Sequence, residues 1–423
     1  MFDVIVLGGG AAGFFCAIHI SEHNPALKVA ILEKSMNTLA KVKISGGGRC
    51  NVAHAHFEPS ALVSNYPRGE KELLGPFHVF STENTIDFFE KRGIQIKTES
   101  DGRMFPASNS SQTIIDCFEK EIEVKGIALI KETPVNEIEP IYMGQKKSIH
   151  KWKLKTTKQS YECSKLVICT GSSPKVWRML ETLGHSVIPP VPSLFTFNIK
   201  DKIIEGIPGV STEAEVQLRI ESNLKGNNRR KSKSFISKGP TLITHWGLSG
   251  PGILKLSAWA ARELNACDYK FQIRVNWLPD ERITDVLDRL NQLRKEEAKR
   301  TVHKTKVFDL PSRLWRNLVQ SANINSEDKW ADVPKSKMEL LSKRLCASEF
   351  RVNGKSTFKE EFVTAGGIDL KEVNFKTFES KIFPSLYFAG EVLNIDAITG
   401  GFNFQNAWTG AYIAAKAITT SVD

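Results

Sequence analysis

A glycine-rich turn near the start of the chain has the residue types and spacing of a dinucleotide site. Gly8, Gly10 and Gly13, with Ala12 among them, follow an apolar run at residues 3–7 and open a helical pattern at residues 14–21. Glycines at this spacing allow a tight turn through which a pyrophosphate reaches the free N–H groups of the helix. Glu33, twenty residues after Gly13, ends the next apolar run and can accept both hydroxyls of an adenosine ribose. The pattern predicts FAD or NAD and disfavours the 2′-phosphate of NADP.

A second segment places three consecutive glycines between cationic residues. A backbone of this kind can wrap an anion, with positive charge on both sides. The thiol of Cys50 in this segment could be reactive, but the favoured interpretation is that Cys50 is a small packing residue. The candidate cofactor-binding residues here are Lys43, Ser45, Gly46, Gly47, Gly48, Arg49, Cys50 and Asn51.

The C-terminal region carries a third glycine element. Gly390 and Glu391 follow an apolar run at residues 385–389, and Gly400 and Gly401 precede a helical pattern at residues 403–419. A Gly-acid pair after a late strand suits the ribityl hydroxyls of FAD. The start of the helix could then face the pyrimidine edge of a flavin, where negative charge accumulates on reduction. NAD has no such group, so this element favours FAD.

The elements that must position these residues are those of an α/β protein. Short apolar runs at residues 3–7, 28–32, 165–169 and 385–389 are typical of strands buried on both faces. Between the last two runs the chain becomes rich in strand patterns, with helical patterns at residues 284–299 and 335–345. We therefore predict a discontinuous FAD-binding domain, residues 1–191 and 365–423, with an inserted β-rich domain, residues 192–279 and 346–364, and a helical lobe, residues 280–345.

Composition limits the class of protein. The chain has 423 residues, 41% of them hydrophobic, and no apolar stretch approaches the length of a membrane span. Its start lacks the features of a signal peptide, and seven scattered cysteines without a CxxC pair favour a reducing, cytoplasmic location. Nothing in the sequence specifies an oligomeric state or a metal site; His54 and His56 lack an evident third ligand.

The net charge of +11 concentrates in residues 225–238 and 289–306. Solvated surface is the favoured interpretation of both segments, and a nucleic-acid partner is the less favoured one, because no aromatic residues interleave with the basic ones in the first segment.

Four motifs together resemble a known family. SGGGRCN at residues 45–51, GLSGPGIL at 247–254, TAGG at 364–367 and FAGEVLNIDAITGGFNFQNAW at 388–408 are similar to the YhiN/BaiN-type bacterial flavoproteins. The resemblance implies one FAD, a glutathione-reductase-like Rossmann domain and an inserted β-barrel-like domain that carries a helical lobe. It also implies that FAD contacts include Lys34, Val135, Thr170, Gly171, Asn403 and Phe404, in addition to members of the three glycine elements. The chain departs from the family pattern at Asn394, Ala397 and Phe402, which surround the end of the site expected to face the flavin.

The expected activity is that of an FAD-dependent oxidoreductase acting on a small conjugated ketone or amine. Only one dinucleotide fingerprint is present, so NAD(P)H would bind transiently as electron donor, or oxygen would accept the electrons. His245, beside the GLSGPG motif, is a candidate for a catalytic residue. Two alternatives remain at this point: an FAD-dependent RNA-modifying or RNA-binding protein, and a binding protein in which FAD is structural.

Overall fold

The computed structural model describes residues 1–143, 148–219, 234–356 and 363–420. Their contacts divide the chain into two compact units, Met1–Val191 with Lys359–Asp423, and Pro192–Phe358. The elements of the first segment are β1 Phe2–Leu7, α1 Ala11–His23, β2 Val29–Leu32, α2 Ala40–Gly48, β3 Ala53–His54, α3 Pro59–Val63, α4 Glu70–Val79, α5 Thr82–Glu90, β4 Ile96–Thr98, β5 Arg103–Pro106, α6 Ser111–Val124, β6 Ala128–Ile130, β7 Val135–Met143, β8 Ser148–Thr156, β9 Ser160–Ile168, α7 Pro174–Leu183 and β10 Val187–Ser193. The middle segment contains β11 Thr196–Asn198, β12 Ser211–Arg219, β13 Phe235–Ile243, β14 Gly247–Ser249, α8 Pro251–Trp259, α9 Ala261–Ala266, β15 Lys270–Asn276, α10 Ile283–Glu296, α11 Ser312–Ser321, α12 Lys335–Cys346, β16 Ser348–Asn353 and β17 Lys355–Ser356. The last segment contains β18 Val363–Ile368, β19 Val373–Asn374, β20 Glu379–Ser380, β21 Leu386–Phe388 and α13 Phe402–Thr420.

The first unit is built on a parallel sheet in the order β6-β2-β1-β9-β21. Its central strand is apolar on both faces: Val4, Ile5 and Val6 are fully buried. The chain adds β2 and then β6 on one side of β1 and places β9 and β21 on the other. This is the strand order of a Rossmann fold, whose ligands bind outside the carboxyl ends of the strands, where the order reverses. The α/β fold class predicted from the sequence is confirmed.

The second unit contains a seven-stranded antiparallel sheet in the order β16-β15-β12-β13-β14-β11-β17. The two outer strands, β16 and β17, are consecutive pieces of one extended segment that bends at Gly354, which has a φ of 112°. The sheet therefore curls so that its two ends meet, as in a barrel. The helices α10, α11 and α12 bury Leu290, Leu314 and Leu341 in the core of this unit.

Within the described residues, no helix combines the length and the apolar character needed to cross a lipid bilayer.

His19 on α1 is buried among aromatic rings. The ring centroids of Phe15 and Tyr412 lie 4.5 and 5.0 Å from that of its imidazole. Burial lowers the pKa of His19 well below its usual value, and the positive charge of Arg92 lowers the pKa further. Burial also lowers the pKa of His185. Both imidazoles are therefore neutral in the folded protein at neutral pH.

These histidines should make the protein less stable in mild acid. Because the unfolded chain binds the protons more readily, their contribution to stability is complete above about pH 6.5 and is lost as the pH falls below that value. We expect the midpoint temperature of thermal unfolding to decrease when the pH is lowered from about 7.5 to about 5.5. His19→Phe suits the aromatic surroundings and removes one of these groups, so this variant should lose less on acidification. An equal loss in both proteins would contradict the assignment.

Candidate dinucleotide site

Five loops meet at the carboxyl edge of the parallel sheet, because parallel strands all end at the same edge. Each loop contains residues that the sequence predicted to bind the cofactor. They are residues 8–13 after β1, Glu33 after β2, residues 133–135 after β6, residues 170–171 after β9 and residues 390–391 after β21. The crevice outside such an edge is where Rossmann folds bind dinucleotides.

The glycine turn after β1 is packed too closely for any other residue at two of its positions. A Cβ atom on Gly8, whose φ is 115°, would lie 2.5 Å from the carbonyl oxygen of Cys169, and one on Gly13 would lie 1.9 Å from the carbonyl oxygen of Gly8. A Cβ on Gly10 would meet no atom within 4 Å. The turn therefore packs against the loop after β9 and leaves open space at Gly10, as close approach by a pyrophosphate requires.

Glu33 is held in place beside this turn. The Gly9 N–H donates to its Oε2 at 2.7 Å, and the backbone N–H and hydroxyl of Ser35 donate to its Oε1 at 2.9 and 2.7 Å. The Thr133 N–H donates to the Glu33 carbonyl at 2.9 Å, which brings Val135, buried at the start of β7, to the same end of the crevice. These contacts gather the residues predicted for the adenosine half of FAD.

The three consecutive glycines at the end of α2 have a backbone conformation that is not helical. Gly46, Gly47 and Gly48 all have positive φ, at 57°, 69° and 83°, and the Cys50 N–H donates to the Ser45 carbonyl at 3.0 Å. Cβ atoms on Gly47 and Gly48 would meet nothing within 4 Å. The two glycines thus present bare backbone to open space, as an anion-binding loop does.

The side chains around these glycines are partly engaged already. An Arg49 N–H donates to Glu99 at 2.5 Å, and its guanidinium lies 3.9 Å from the ring centroid of Phe105. The Asn51 Oδ1 accepts from the Met104 N–H at 3.2 Å. The side chains of these two residues are therefore already held by groups of the protein. The cations with exposed side chains here are Lys34, Lys41 and Lys43, of which Lys41 pairs with Glu391.

Cys50 is a packing residue in this structure. Its side chain is fully buried, and burial raises the pKa of the thiol to about 12, although a hydrogen bond with Ser45 acts in the opposite direction. The thiol is therefore protonated at neutral pH and a poor nucleophile.

The loops after β9 and β21 face each other. A Cβ on Gly171 would lie 3.6 Å from Oε2 of Glu391, which also pairs with Lys41, and Oε1 of Glu391 accepts from the Thr364 N–H at 3.0 Å. The hydroxyl of Thr170 is buried and has no hydrogen-bond partner within the described protein. A buried hydroxyl costs free energy unless it is bonded, so the described protein leaves this polar group for another partner to satisfy.

Helix α13 begins against β3. A Cβ on Gly401, whose φ is 95°, would lie 2.5 Å from the Ala53 carbonyl oxygen, and the Nδ1 of His54 lies 3.1 Å from the Gly400 carbonyl oxygen. The Tyr66 hydroxyl donates to the carbonyl of Phe402. The Trp408 indole N–H donates to the Val52 carbonyl at 2.9 Å. The first turn of α13 is thus fixed to the end of the segment that contains the three consecutive glycines.

Asn403 and Phe404, predicted as FAD contacts, lie in that first turn. The amide of Asn403 bonds to the backbone N–H and carbonyl of Ala397, at 3.0 and 3.1 Å. The ring of Phe404 stacks on Trp408 with centroids 5.5 Å apart. The amide of Asn403 therefore shapes the loop before α13, which leaves its backbone as the group available to a ligand.

The residues that hold this region together were not predicted as packing partners from the sequence, where His54 and His56 were considered only as metal ligands. His54 stacks on Phe402 with centroids 4.6 Å apart, and His56 lies 3.0 Å from the amide nitrogen of Asn65. Burial lowers the pKa of His54, against a hydrogen bond to Gly400 that raises it. Across the described ranges, no three histidine, cysteine or acidic side chains are grouped as metal ligands.

Arg68 and Asp396 form a buried ion pair under the loop before α13. Two N–H groups of Arg68 donate to the two carboxylate oxygens of Asp396, whose side chain is fully buried. A Cβ on the adjacent Gly69 would lie 2.8 Å from Ile395. The partners are 328 residues apart in the chain, and no local pattern links them.

The remaining candidates lie in the second unit. His245 is exposed in the turn between β13 and β14. In the basic regions, Lys238 pairs with Asp280 and Arg289 with Glu296, at 2.5 and 3.1 Å, so acidic neighbours partly neutralise these two cations. The rest of the first basic segment, residues 225–233, lies outside the described residues.

The crevice of the first unit fits FAD. It offers bare glycine backbone for the pyrophosphate, a fixed carboxylate for the ribose, and a buried hydroxyl that lacks a partner. The first turn of α13 adds free N–H groups that could donate to the isoalloxazine ring of FAD.

Comparison with known proteins agrees with this geometry. The model of a family described as "HI0933-like protein Rossmann domain" matches residues 2–417. The chain is 28% identical over 429 residues to a ribosomal RNA dihydrouridine synthase of Escherichia coli, covering 98% of this chain and 97% of that one. It is 23% identical over 420 residues to a 3-dehydro-bile acid delta(4,6)-reductase of Clostridium scindens, covering 97% and 98%. Among solved structures, the 3-ketosteroid delta1-dehydrogenase from Sterolibacterium denitrificans shares the fold, with a TM-score of 0.51 at 12% identity over 99% of each chain.

Proposed function

This chain belongs to the family of HI0933-like Rossmann-domain proteins and is an FAD-dependent oxidoreductase; we propose that it reduces a carbon–carbon double bond conjugated to a carbonyl group. The observation that carries the proposal is the chemistry shared by two relatives that match almost the whole chain. Dihydrouridine forms when the ring double bond of uracil, conjugated to a carbonyl, is saturated. The 4,6 double bonds of a 3-dehydro bile acid are conjugated to its 3-keto group in the same way.

The overall reaction balances with NAD(P)H as the donor. One hydride and one proton add across the double bond, one C–H bond forms at each of its carbons, and NAD(P)+ is released. FAD, when bound, supplies the hydride carrier that side chains lack. We propose that NAD(P)H binds only transiently, because the chain has one dinucleotide fingerprint and FAD occupies that site.

We propose a uracil base of RNA as the substrate. Full-length similarity to a ribosomal RNA enzyme and the net charge of +11 both favour an anionic macromolecule over a small ketone. This ranking reverses the preference drawn from the sequence alone. A small conjugated ketone is the second candidate, supported by the relative from Clostridium scindens.

The function is tested with purified protein under anaerobic conditions. We expect yellow protein that releases FAD on denaturation, loses its flavin absorbance with NADH or NADPH, and regains it when unmodified ribosomal RNA is added. Mass spectrometry of the RNA should then show uridine with two added hydrogens. Recovery with a 3-keto-4-ene steroid but not with RNA would select the second candidate. Protein that binds no FAD, or recovery with neither acceptor, would contradict the proposal.

Within the proposed site, Glu33 should contribute strongly to FAD affinity. Glu33→Ala removes a carboxylate poised beside the glycine turn, so binding should weaken by about 1.5–3 kcal/mol, the scale of charge-assisted hydrogen bonds. Titration calorimetry of apo-protein with FAD measures this. Glu33→Gln keeps one acceptor for the Gly9 N–H and should lose less. Unchanged affinity in Glu33→Ala would place the adenosine elsewhere.

A further inference from the structure

Trp246 is unusual among the tryptophans of this protein. Of the eight, six are buried, Trp259 is partly buried, and Trp246 has 59% of its surface exposed. The other tryptophans gain free energy by burying their apolar rings, whereas Trp246 leaves most of its ring in water. Exposed aromatic rings of this kind are used to bind partners.

The backbone that carries Trp246 is rigid. It belongs to a two-residue turn, His245-Trp246, between β13 and β14, closed by a hydrogen bond from the Thr244 N–H to the Gly247 carbonyl at 2.8 Å. The Thr244 hydroxyl oxygen also accepts from the N–H groups of Trp246 and Gly247, both at 3.2 Å. A Cβ on Gly247 would lie 2.2 Å from the Phe197 carbonyl oxygen, so the turn packs directly on β11. The indole is thus presented on a fixed support.

Positive charge lies next to the turn. The Ile199 N–H donates to the Trp246 carbonyl at 2.9 Å, so the chain leaving β11 runs beside the turn, and its next residue is Lys200. Lys200 and Lys202 are both exposed. The carboxylate of the intervening Asp201 accepts from the Ile203 N–H at 2.9 Å, which occupies one of its oxygens within its own turn.

We infer that the turn carrying Trp246, with Lys200 and Lys202, is a surface that binds RNA by stacking one unpaired base on the indole and pairing the lysines with phosphates. A lone aromatic ring flanked by cations matches the chemistry of a nucleobase and its backbone. Contiguous exposed apolar patches mark docking sites for proteins, whereas the chain neighbours of Trp246, His245 and Gly247, and the nearby Lys200 add no apolar side chain to the indole. The inference rests on the proposed function, and it assigns His245 to this surface instead of to catalysis.

The test is fluorescence anisotropy of the FAD-loaded protein with a labelled hairpin RNA whose loop contains unpaired uridines, with the fully paired duplex as comparison. Trp246→Ala should weaken hairpin binding about 5- to 150-fold, the range measured for loss of base stacking, and Trp246→Phe should weaken it much less. Lys200→Ala should lower the slope of log affinity against log salt by about one. Both tryptophan variants should keep their flavin, since the residue is exposed.

The control is Tyr142→Ala, which removes a similarly exposed aromatic side chain, 50% exposed, from the first unit. It should bind the hairpin as the wild type does. Equal affinity of Trp246→Ala and wild type, equal losses in both alanine variants, or no hairpin binding by the wild type would each overturn the inference. Binding is measured without turnover, so the two proposals fail separately. Tight, Trp246-dependent binding without uracil reduction would contradict only the proposed function.

Discussion

Replacing Gly401 with alanine should deprive the protein of most of its bound FAD. The added Cβ would lie 2.5 Å from the carbonyl oxygen and 2.7 Å from the carbonyl carbon of Ala53, both backbone atoms that cannot rotate away. The start of α13 must therefore move away from β3, which would displace the N–H groups of its first turn from the proposed cofactor position. Flavin absorbance per protein, measured after purification and after incubation with excess FAD, gives the result.

Gly206→Ala is the matched control for Gly401→Ala. Gly206 also has a positive φ, 73°, so alanine brings a similar backbone strain of about 1–2 kcal/mol, but its Cβ would meet nothing within 4 Å. The control should keep its flavin. If some FAD remains in Gly401→Ala, its midpoint potential should fall by up to about 20 mV, because the positive end of α13 stabilises negative charge on a flavin by about 0.3–1 kcal/mol. Equal flavin content in the two variants would show that the start of α13 does not border the cofactor.

Arg68→Met should lower the free energy of unfolding by about 3–5 kcal/mol, the cost of leaving a buried charge without its partner. The carboxylate of Asp396 is fully buried, and Arg68 donates to both of its oxygens. The pair also joins two segments that flank the candidate site, so part of the bound FAD should be lost as well. Denaturant unfolding followed by circular dichroism measures the stability.

Two further variants separate charge burial from lost packing. Arg68→Met combined with Asp396→Leu removes both charges and should recover a large part of the loss, because an apolar pair can replace a buried ion pair. Arg282→Met breaks an exposed pair with Asp285, in which the arginine side chain is 83% exposed, and should change stability little. If Arg68→Met is no more destabilising than Arg282→Met, the buried pair does not stabilise the loop before α13.

The sequence predicted the parts of the site that depend on local patterns. The glycine turn, Glu33 and the start of the last helix each follow from residues that are near neighbours in the chain, and α13 begins at Phe402, one residue from the predicted start. Strand and helix periodicity is local too, so four of the five parallel strands, β1, β2, β9 and β21, and the helices α10 and α12 were predicted. The short parallel strand β6 was missed. The hairpin β7–β8 was missed, although lysines alternate with the buried Trp152 and Leu154 along β8, a local pattern typical of a strand with one buried face.

The sequence by itself therefore determined the class of fold and the set of backbone loops suited to a dinucleotide. Turns, caps and buried strands could be predicted because short stretches of residues specify them. Only the tertiary structure decided which distant segments meet around them. His54 lies against Gly400 across 346 residues, and Arg68 meets Asp396 across 328. Such contacts arise because separate stretches of the chain pack together in the tertiary structure, and no spacing within either stretch encodes the partner. The exposure of Trp246 was decided at the same level, because burial depends on what the rest of the chain leaves uncovered.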